Sequence, residues 1–191
     1  AAQTGSDRLA AAMSSVCRVA DVKVQNNGEG IVDPLSFEVI LDVSEPLAED
    51  VVFRCCYIVD PSTPKTDVEL ESIDVGNGPG LPRGLMKFEF EVAAPSRAMI
   101  EQSGGAHEVG GLYVSAVYRG AEFCRVGYYV RYEYDDPVMQ ENPPETVIWE
   151  RLRRVLSDPR VTRFSVAFDG APQSSAADPA SSSGGIPHSA G

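Results

Sequence analysis

The side chains best suited to recognising another molecule lie on one predicted strand, over residues 122–134. The stretch is rich in aromatic and β-branched residues, which favour strands. Alternate residues of a strand face opposite sides. One side is apolar and carries Cys124, Val126, Tyr128, Val130 and Tyr132; the other carries Phe123, Arg125, Gly127, Tyr129, Arg131 and Glu133. Because arginine and tyrosine anchor many protein interfaces, the second side favours non-covalent binding. The alternative is an ordinary solvated strand face.

Side chains that could support catalysis are few. His107 lies in a predicted loop without an evident partner, and His188 lies in the C-terminal segment. The glycine-rich residues 76–84 lack the lysine and the strand–loop–helix context of a phosphate-binding loop. The Gly-x-Ser-x-Gly and His-Glu-x-x-His patterns do not occur. We therefore expect a protein that is not an enzyme and that needs no cofactor.

Length and charge limit the remaining classes of function. A chain of 191 residues is long enough for one domain with a sizeable core. The net charge of −12 disfavours direct binding to nucleic acid and favours a cationic partner, although many soluble proteins are acidic. No apolar run reaches the roughly 18 residues of a membrane helix.

The four cysteines indicate reduced thiols rather than a disulfide framework. Cys55 and Cys56 are adjacent in a predicted strand, so they face opposite sides and cannot readily bridge each other. Neither Cys17 nor Cys124 adds a spacing typical of a zinc site. We expect four free thiols, no metal and an intracellular protein.

Short strands with intervening turns dominate the chain. Strands are predicted over 19–25, 37–43, 51–59, 68–75, 87–92, 109–118, 122–134 and 162–168. A short helical turn is expected within 93–108, and apolar residues at helical spacing predict a helix over 146–156. The pattern favours an all-β, immunoglobulin-like β-sandwich with a short helix. We expect the chain to comprise a flexible leader (1–18), the immunoglobulin-like domain (19–169) and a disordered tail rich in Ser, Ala, Gly and Pro (170–191).

The strand predicted over 109–118 is partly apolar on both sides, so it is either buried twice or binds something. Pairing with the 122–134 strand through a hairpin at residues 118–121 extends one outward patch. That patch contains Val109, Tyr113, Arg125 and Tyr129.

Five segments, in order and at compatible spacing, resemble the anti-silencing-function histone H3–H4 chaperone family. They span residues 33–38, 45–50, 125–134, 141–144 and 159–164. The resemblance extends over residues 19–169 and implies the same sandwich. It also implies a monomeric nuclear protein that holds one histone H3–H4 dimer, masks the tetramerisation surface and passes histones to deposition factors during nucleosome assembly and disassembly.

By this resemblance, histone H3 would contact Asp67, Val109, Gly111, Tyr113, Arg125 and Tyr129. Gly111 stands where the family has a central valine, and Tyr113 where an aliphatic residue is usual. The missing valine would remove ~1.5–3 kcal/mol of apolar burial. Three explanations stay open: Tyr113 compensates, the register differs, or binding is weaker.

Two further contacts follow from the resemblance. The tail of histone H4 would pair with an edge strand at Arg160, Thr162 and Phe164; the alternative is that Arg163 and Phe164 merely alternate between the outside and the inside of the strand. Basic peptides of deposition factors would bind at Glu49, Asp50, Glu71, Ile73 and Val75, although Asp74 departs from the family pattern and residues 49–50 could be only a turn. The alternative function is an immunoglobulin-like scaffold that binds basic peptides without histone activity.

Overall fold

Two curled β-sheets pack face to face in the computed structural model, which describes residues 15–76 and 78–169. The first sheet has the order β1–β2–β5, formed by Cys17–Val24, Leu35–Val43 and Gly84–Val92. The second has the order β4–β3–β6–β7–β8, formed by Val68–Val75, Val51–Ile58, Gly110–Tyr118, Ala121–Tyr134 and Leu152–Leu156. A short strand, β9 (Arg160–Arg163), also pairs with β7. The predicted all-β sandwich is confirmed.

Within the described residues, helical structure is confined to short connections. The turn predicted within 93–108 is confirmed as α1 (Arg97–Gln102), where Ser96 Oγ accepts a hydrogen bond from the Met99 N–H at 3.3 Å. A second helix, α2 (Pro137–Glu141), follows β7, and 3₁₀ turns occur at Pro64–Thr66 and Trp149–Arg151.

The core follows the predicted alternation in most strands. The inward-facing side chains of β2 and β3 are all buried. They are Phe37, Val39, Leu41 and Val43 on β2, and Val51, Phe53, Cys55 and Tyr57 on β3. Aromatic contacts join the sheets: the rings of Phe53 and Phe88 meet edge to face at 5.1 Å. The inward face of β7, from Cys124 to Tyr132, is also buried.

The helix predicted over residues 146–156 is wrong. The chain forms the 3₁₀ turn at Trp149–Arg151 and then β8, which pairs antiparallel with β7. A spacing of four residues, as between Leu152 and Leu156, places side chains on one side of a strand as well as of a helix. The segment forms a strand rather than a helix because pairing with the free edge of β7 buries Leu152, Arg154 and Leu156.

Two strand details also differ from the predictions. Phe123 was placed on the outward side of β7, but it is buried, because the β6–β7 register shifts between Ala116 and Val117. Its ring packs edge to face on Phe168 at 5.3 Å. The last strand spans Arg160–Arg163 rather than 162–168, since the chain leaves β7 after the Phe164 N–H donates to the Phe123 carbonyl.

A buried cation joins the two sheets. The Arg154 side chain is 1% exposed, and its guanidinium donates to the carbonyls of Ile31, Asp33 and Pro34 at 3.4, 2.9 and 3.3 Å. Burial lowers the pKa of Arg154 from its ordinary value. The backbone of Arg154 also bonds residues 28 and 29, so β8 is tied to the connection that leads into β2.

All four cysteines carry free thiols, as predicted. Among residues 15–76 and 78–169, no cluster of three His, Cys, Asp or Glu side chains could hold a metal ion. No helix in that same part of the chain is long and apolar enough to cross a membrane. The predicted disordered tail, 170–191, lies outside the described residues, as does most of the predicted leader.

Replacing Arg154 with leucine should lower the free energy of unfolding by about 3 kcal/mol, because three carbonyls would lose their donor. Urea unfolding measures this loss. Arg18→Leu is the matched control, because Arg18 makes only an exposed pair with Asp42 and should change stability by about 0.5 kcal/mol or less. Equal losses in both variants would contradict the structural role of Arg154.

The buried thiols should make the protein less stable in alkali. Burial, with Asp42 nearby, raises the pKa of Cys17 from 9.0 to about 12, and burial also raises the pKa of Cys55 and Cys124. A raised native pKa contributes stability that is present below about pH 9 and lost as pH rises toward the native value. Each such thiol contributes a slope of ~1.4 kcal/mol per pH unit above that point.

Urea midpoints between about pH 8 and about pH 10.5 test this expectation. Cys17→Ala should reduce the slope of stability against pH, whatever its effect on stability at neutral pH. An unchanged slope would show that Cys17 ionises equally in the native and unfolded states.

Candidate functional site

The outward sides of β3, β6 and β7 form one continuous surface, here called the outer face. Its members are Ile58, Gly111, Tyr113, Arg125, Gly127 and Tyr129. Gly111 lies between Ile58 on β3 and Tyr129 on β7, and Tyr113 lies opposite Gly127. The pairing therefore brings together four of the six residues proposed for histone H3.

Arg125 is held in place by two internal contacts. Its guanidinium donates to both carboxylate oxygens of Glu122 at 2.7 Å, and its Cζ lies 4.2 Å from the centre of the Tyr113 ring. The hydrogen bonds that Arg125 donates to Glu122 raise the pKa of Arg125, so the charge is permanent. The side chain is ordered before any partner arrives, which reduces the entropy lost on binding.

Asp67 and Tyr113 form the next part of the outer face. Asp67 follows the 3₁₀ turn at Pro64–Thr66, and its Oδ2 accepts a hydrogen bond from the Tyr113 hydroxyl at 3.0 Å. Burial raises the pKa of Tyr113, and Cys56 and Asp67 add to the rise, so the phenol stays protonated. Asp67 Oδ1 is buried without a hydrogen-bond partner among the described residues. Burying this acceptor without a partner costs free energy that the hydrogen bond at Oδ2 only partly offsets.

Tyr129 connects this surface to β9. Its side chain is 48% exposed, and the Arg160 guanidinium lies 4.8 Å from its ring centre. On β9, Arg160 pairs with Gly127 and Thr162 pairs with Arg125. Residues proposed separately for histones H3 and H4 therefore share one surface.

The remaining members lie at the margins. Val109 precedes β6 and is 57% exposed. Phe164 follows β9 and is also exposed, whereas Arg163 donates to the Val19 carbonyl at 3.2 Å. Within the described residues β9 pairs only with β7, so its other edge is open to a further strand.

The space that a side chain at position 111 would occupy is partly filled by a neighbouring residue. A Cβ placed on Gly111 would lie 3.1 Å from Ile58 Cδ1, so Ile58 already covers part of that space. Ile58 and Gly127 were not proposed as site residues. Gly127 could have been included from its parity with Arg125, but Ile58 required the β3–β6 register.

The residues proposed for deposition-factor peptides lie together near β4 but are partly engaged within the protein. Glu49 accepts a hydrogen bond from Arg119 at 2.7 Å, and Asp50 Oδ1 accepts one from the Gly80 N–H at 2.8 Å. Ile73 and Val75 pack against the core, whereas Glu71 is exposed. Since β4 is an edge strand of its sheet, the N–H and carbonyl groups along its outer edge can form hydrogen bonds with a partner strand.

Comparison with known proteins assigns this architecture to a family. A family model described as "ASF1 like histone chaperone" matches residues 13–169. The histone chaperone ASF1 of Kluyveromyces lactis is 39% identical over 157 residues, covering 81% of this chain and 55% of that protein. The histone chaperone ASF1 of Mycosarcoma maydis is 36% identical over 164 residues, covering 85% and 92%.

A mammalian relative is similar to the same extent. The histone chaperone ASF1B of Mus musculus is 35% identical over 158 residues, which cover 82% of this chain and 76% of that protein. The chain spans about half the length of the Kluyveromyces lactis and Candida glabrata relatives that it matches.

The contacts of the peptide region predict that Asp50 and Glu49 behave differently. Asp50→Ala should lower the free energy of unfolding by about 1–2 kcal/mol, because the half-buried Gly80 N–H loses its acceptor. Glu49→Ala should change it by less than about 0.5 kcal/mol, since its pair with Arg119 is exposed. Thermal and urea unfolding of both variants measure this. If Asp50→Ala and Glu49→Ala have the same free energy of unfolding, the hydrogen bond from Gly80 to Asp50 does not stabilise the fold.

Proposed function

Since the chain belongs to the ASF1-like histone chaperone family, we propose that its outer face binds a histone H3–H4 dimer. Binding there masks the surface through which two such dimers form a tetramer. The chain acts as a monomer in the nucleus, where it supplies and removes histones during nucleosome assembly and disassembly. Family membership supports this function and not the alternative of a scaffold without histone activity.

The observation that carries the proposal is the ordered arginine–tyrosine cluster on the outer face. Arg125 stacks on Tyr113, Arg160 stacks on Tyr129, and both stacks lie beside an apolar strip of Ile58 and two glycines. Exposed aromatic and arginine side chains around an apolar centre are typical of the energetically dominant part of an interface.

Charge supports the same partner. The chain carries a net charge of −12, which attracts basic histones over distances longer than direct contact. The exposed arginines of the outer face then act locally, by pairing with acidic groups or backbone carbonyls of the partner. The negative net charge of the chain and the positive arginines of the outer face thus have different roles: the first acts over long distances and the second in direct contact.

Two strand edges complete the proposal, one beside the outer face and one at the far side of the same sheet. The open edge of β9, with Arg160 and Thr162, accepts the tail of histone H4 as an added strand. The edge of β4 with Glu71, together with Glu49 in the connection before β3, receives a basic peptide of a deposition factor. Separate surfaces would let the protein hold histones while it contacts the factor that receives them.

Size-exclusion chromatography with light scattering tests the function. The wild type mixed with recombinant H3–H4 at physiological salt should elute as one chaperone per histone dimer. Arg125→Glu should weaken binding about 100-fold or more, because it reverses a charge at the centre of the contact. Arg83→Glu is the matched control, since it makes the same charge change at an exposed position before β5, on the other sheet.

The outcomes separate the function from the surface. If the folded wild type forms no complex, histone binding is wrong. If wild type and Arg125→Glu bind equally, histone binding stands but the outer face is not where it occurs. Urea unfolding of each variant verifies that the loss of binding is not a loss of folding.

A further inference from the structure

An arginine occupies a turn position that suits asparagine or glycine. Arg119 and Gly120 form the two-residue turn between β6 and β7, with φ angles of 49° and 77°. Turns with a positive φ at both central residues favour Asn-Gly, because most side chains are strained in that conformation. Among residues 15–76 and 78–169, Arg119 is the only residue other than glycine with a positive φ. The reason for an arginine therefore lies in its side-chain contacts and not in the turn.

The guanidinium of Arg119 is shared between two carboxylates. Its Nε donates to Glu49 Oε1 at 2.7 Å, and its Nη1 lies 2.6 Å from Asp169 Oδ1. Its Cζ also lies 5.3 Å from the ring centre of Tyr118. The other oxygen of Asp169 accepts hydrogen bonds from the Ala48 N–H at 2.8 Å and from the Tyr118 hydroxyl. Asp169 is therefore a fixed anchor for the guanidinium.

Glu49 is held less firmly than Asp169. Arg119 is the only side chain that pairs with Glu49 in the described part of the chain, and the Glu49 side chain is 57% exposed. Exposed ion pairs contribute little to stability and are weakened by salt. If the contact between Arg119 and Glu49 opens, Arg119 keeps its pair with Asp169 and its stacking on Tyr118. Releasing Glu49 to another cation therefore costs the protein little.

The charges around Arg119 show how this contact affects a ligand. Glu49, the adjacent Asp50 and Asp169 carry three negative charges, and Arg119 offsets one of them. An incoming lysine or arginine meets a carboxylate that is already paired, beside a guanidinium that repels it. In the proposed complex the protein also holds basic histones. Without such a counter-charge, the acidic site would attract histone tails as well as its own ligand.

We infer that Arg119 is a built-in competitor at the proposed site for deposition-factor peptides. It occupies Glu49 until a basic side chain of the partner displaces it, and so lowers the affinity of the site for every cationic ligand. This inference rests on the proposed binding of basic peptides near β4. It makes Arg119 a specificity-determining residue, because only a ligand that gains other contacts as well, such as strand pairing with the edge of β4, binds tightly.

Arg119→Asn tests the inference, because it removes the charge and gives the turn a residue that it favours. The probe is a fluorescein-labelled peptide of alternating arginine and valine, which is basic and suited to strand pairing, and its binding is measured by fluorescence anisotropy. Arg119→Asn should bind the probe about 3- to 5-fold more tightly than the wild type, with a steeper dependence on salt. Arg119→Lys is the matched control, since it keeps the positive charge and should bind as the wild type does.

A double-mutant cycle shows whether the competition occurs at Glu49. Glu49→Gln should weaken probe binding more in the Arg119→Asn background than in the wild type, because only in that background is Glu49 free of its internal partner. Equal effects of Glu49→Gln in both backgrounds would overturn the inference. Equal or weaker binding by Arg119→Asn would overturn it as well.

The same measurements separate the inference from the proposed peptide site. If the probe does not bind the wild type, or if Glu49→Arg binds it equally well, the peptide site is wrong and the inference fails with it. If Glu49→Arg weakens binding but Arg119→Asn does not strengthen it, the site stands and Arg119 is only a structural contact. Urea unfolding verifies that each variant is folded, and Arg119→Gln removes the same charge in a second variant.

Discussion

The antiparallel pairing of β6 with β7 is the constraint on which the site depends. The register that places Gly111 opposite Tyr129 also places Leu112 opposite Tyr128 and Val114 opposite Val126. The last two pairs are buried between the sheets, so the core and the outer face are two consequences of one register. If the β6–β7 register slipped by one residue, the side chains of the core and of the outer face would change places. The free energy of burying the apolar inner side therefore also fixes the arrangement of residues on the outer face.

Beyond this hairpin, the length of β7 organises the end of the chain. β7 has 14 residues, and two short strands share its second edge: β8 pairs along its C-terminal part and β9 along its N-terminal part. Between the two strands, Ser157 Oγ accepts the hydrogen bond from the Tyr129 N–H at 3.0 Å. The chain then turns so that Arg160 reaches the ring of Tyr129. β8 itself is tied to the first sheet by the buried Arg154, so the position of β9 depends indirectly on an interaction in the core.

The charges of the outer face are of two kinds. Arg125 is paired with and oriented by Glu122, whereas Arg160 is oriented by an aromatic ring that leaves its charge available. In an acidic chain, such isolated cations discriminate between partners more than they attract them. In the proposed histone complex, the acidic residues elsewhere in the chain would supply the long-range attraction.

The fold class follows from local pattern, because strict alternation in segments such as Phe37–Val43 and Cys124–Tyr132 is compatible only with half-buried strands. The outward side of β7, with Arg125, Gly127 and Tyr129, follows from the same parity. The predicted hairpin at residues 118–121 added Val109 and Tyr113, and the family resemblance supplied the other proposed residues. Residues 146–156 could not be assigned in this way, since a spacing of four suits a helix and a strand equally; the open edge of β7 made them a strand. The register shift that buries Phe123, the approach of Arg160 to Tyr129, and the pairing of Arg119 with Glu49 arise only when separate segments are brought side by side. Parity along one strand determines which side a residue faces, but only the pairing between strands determines which residues become its neighbours.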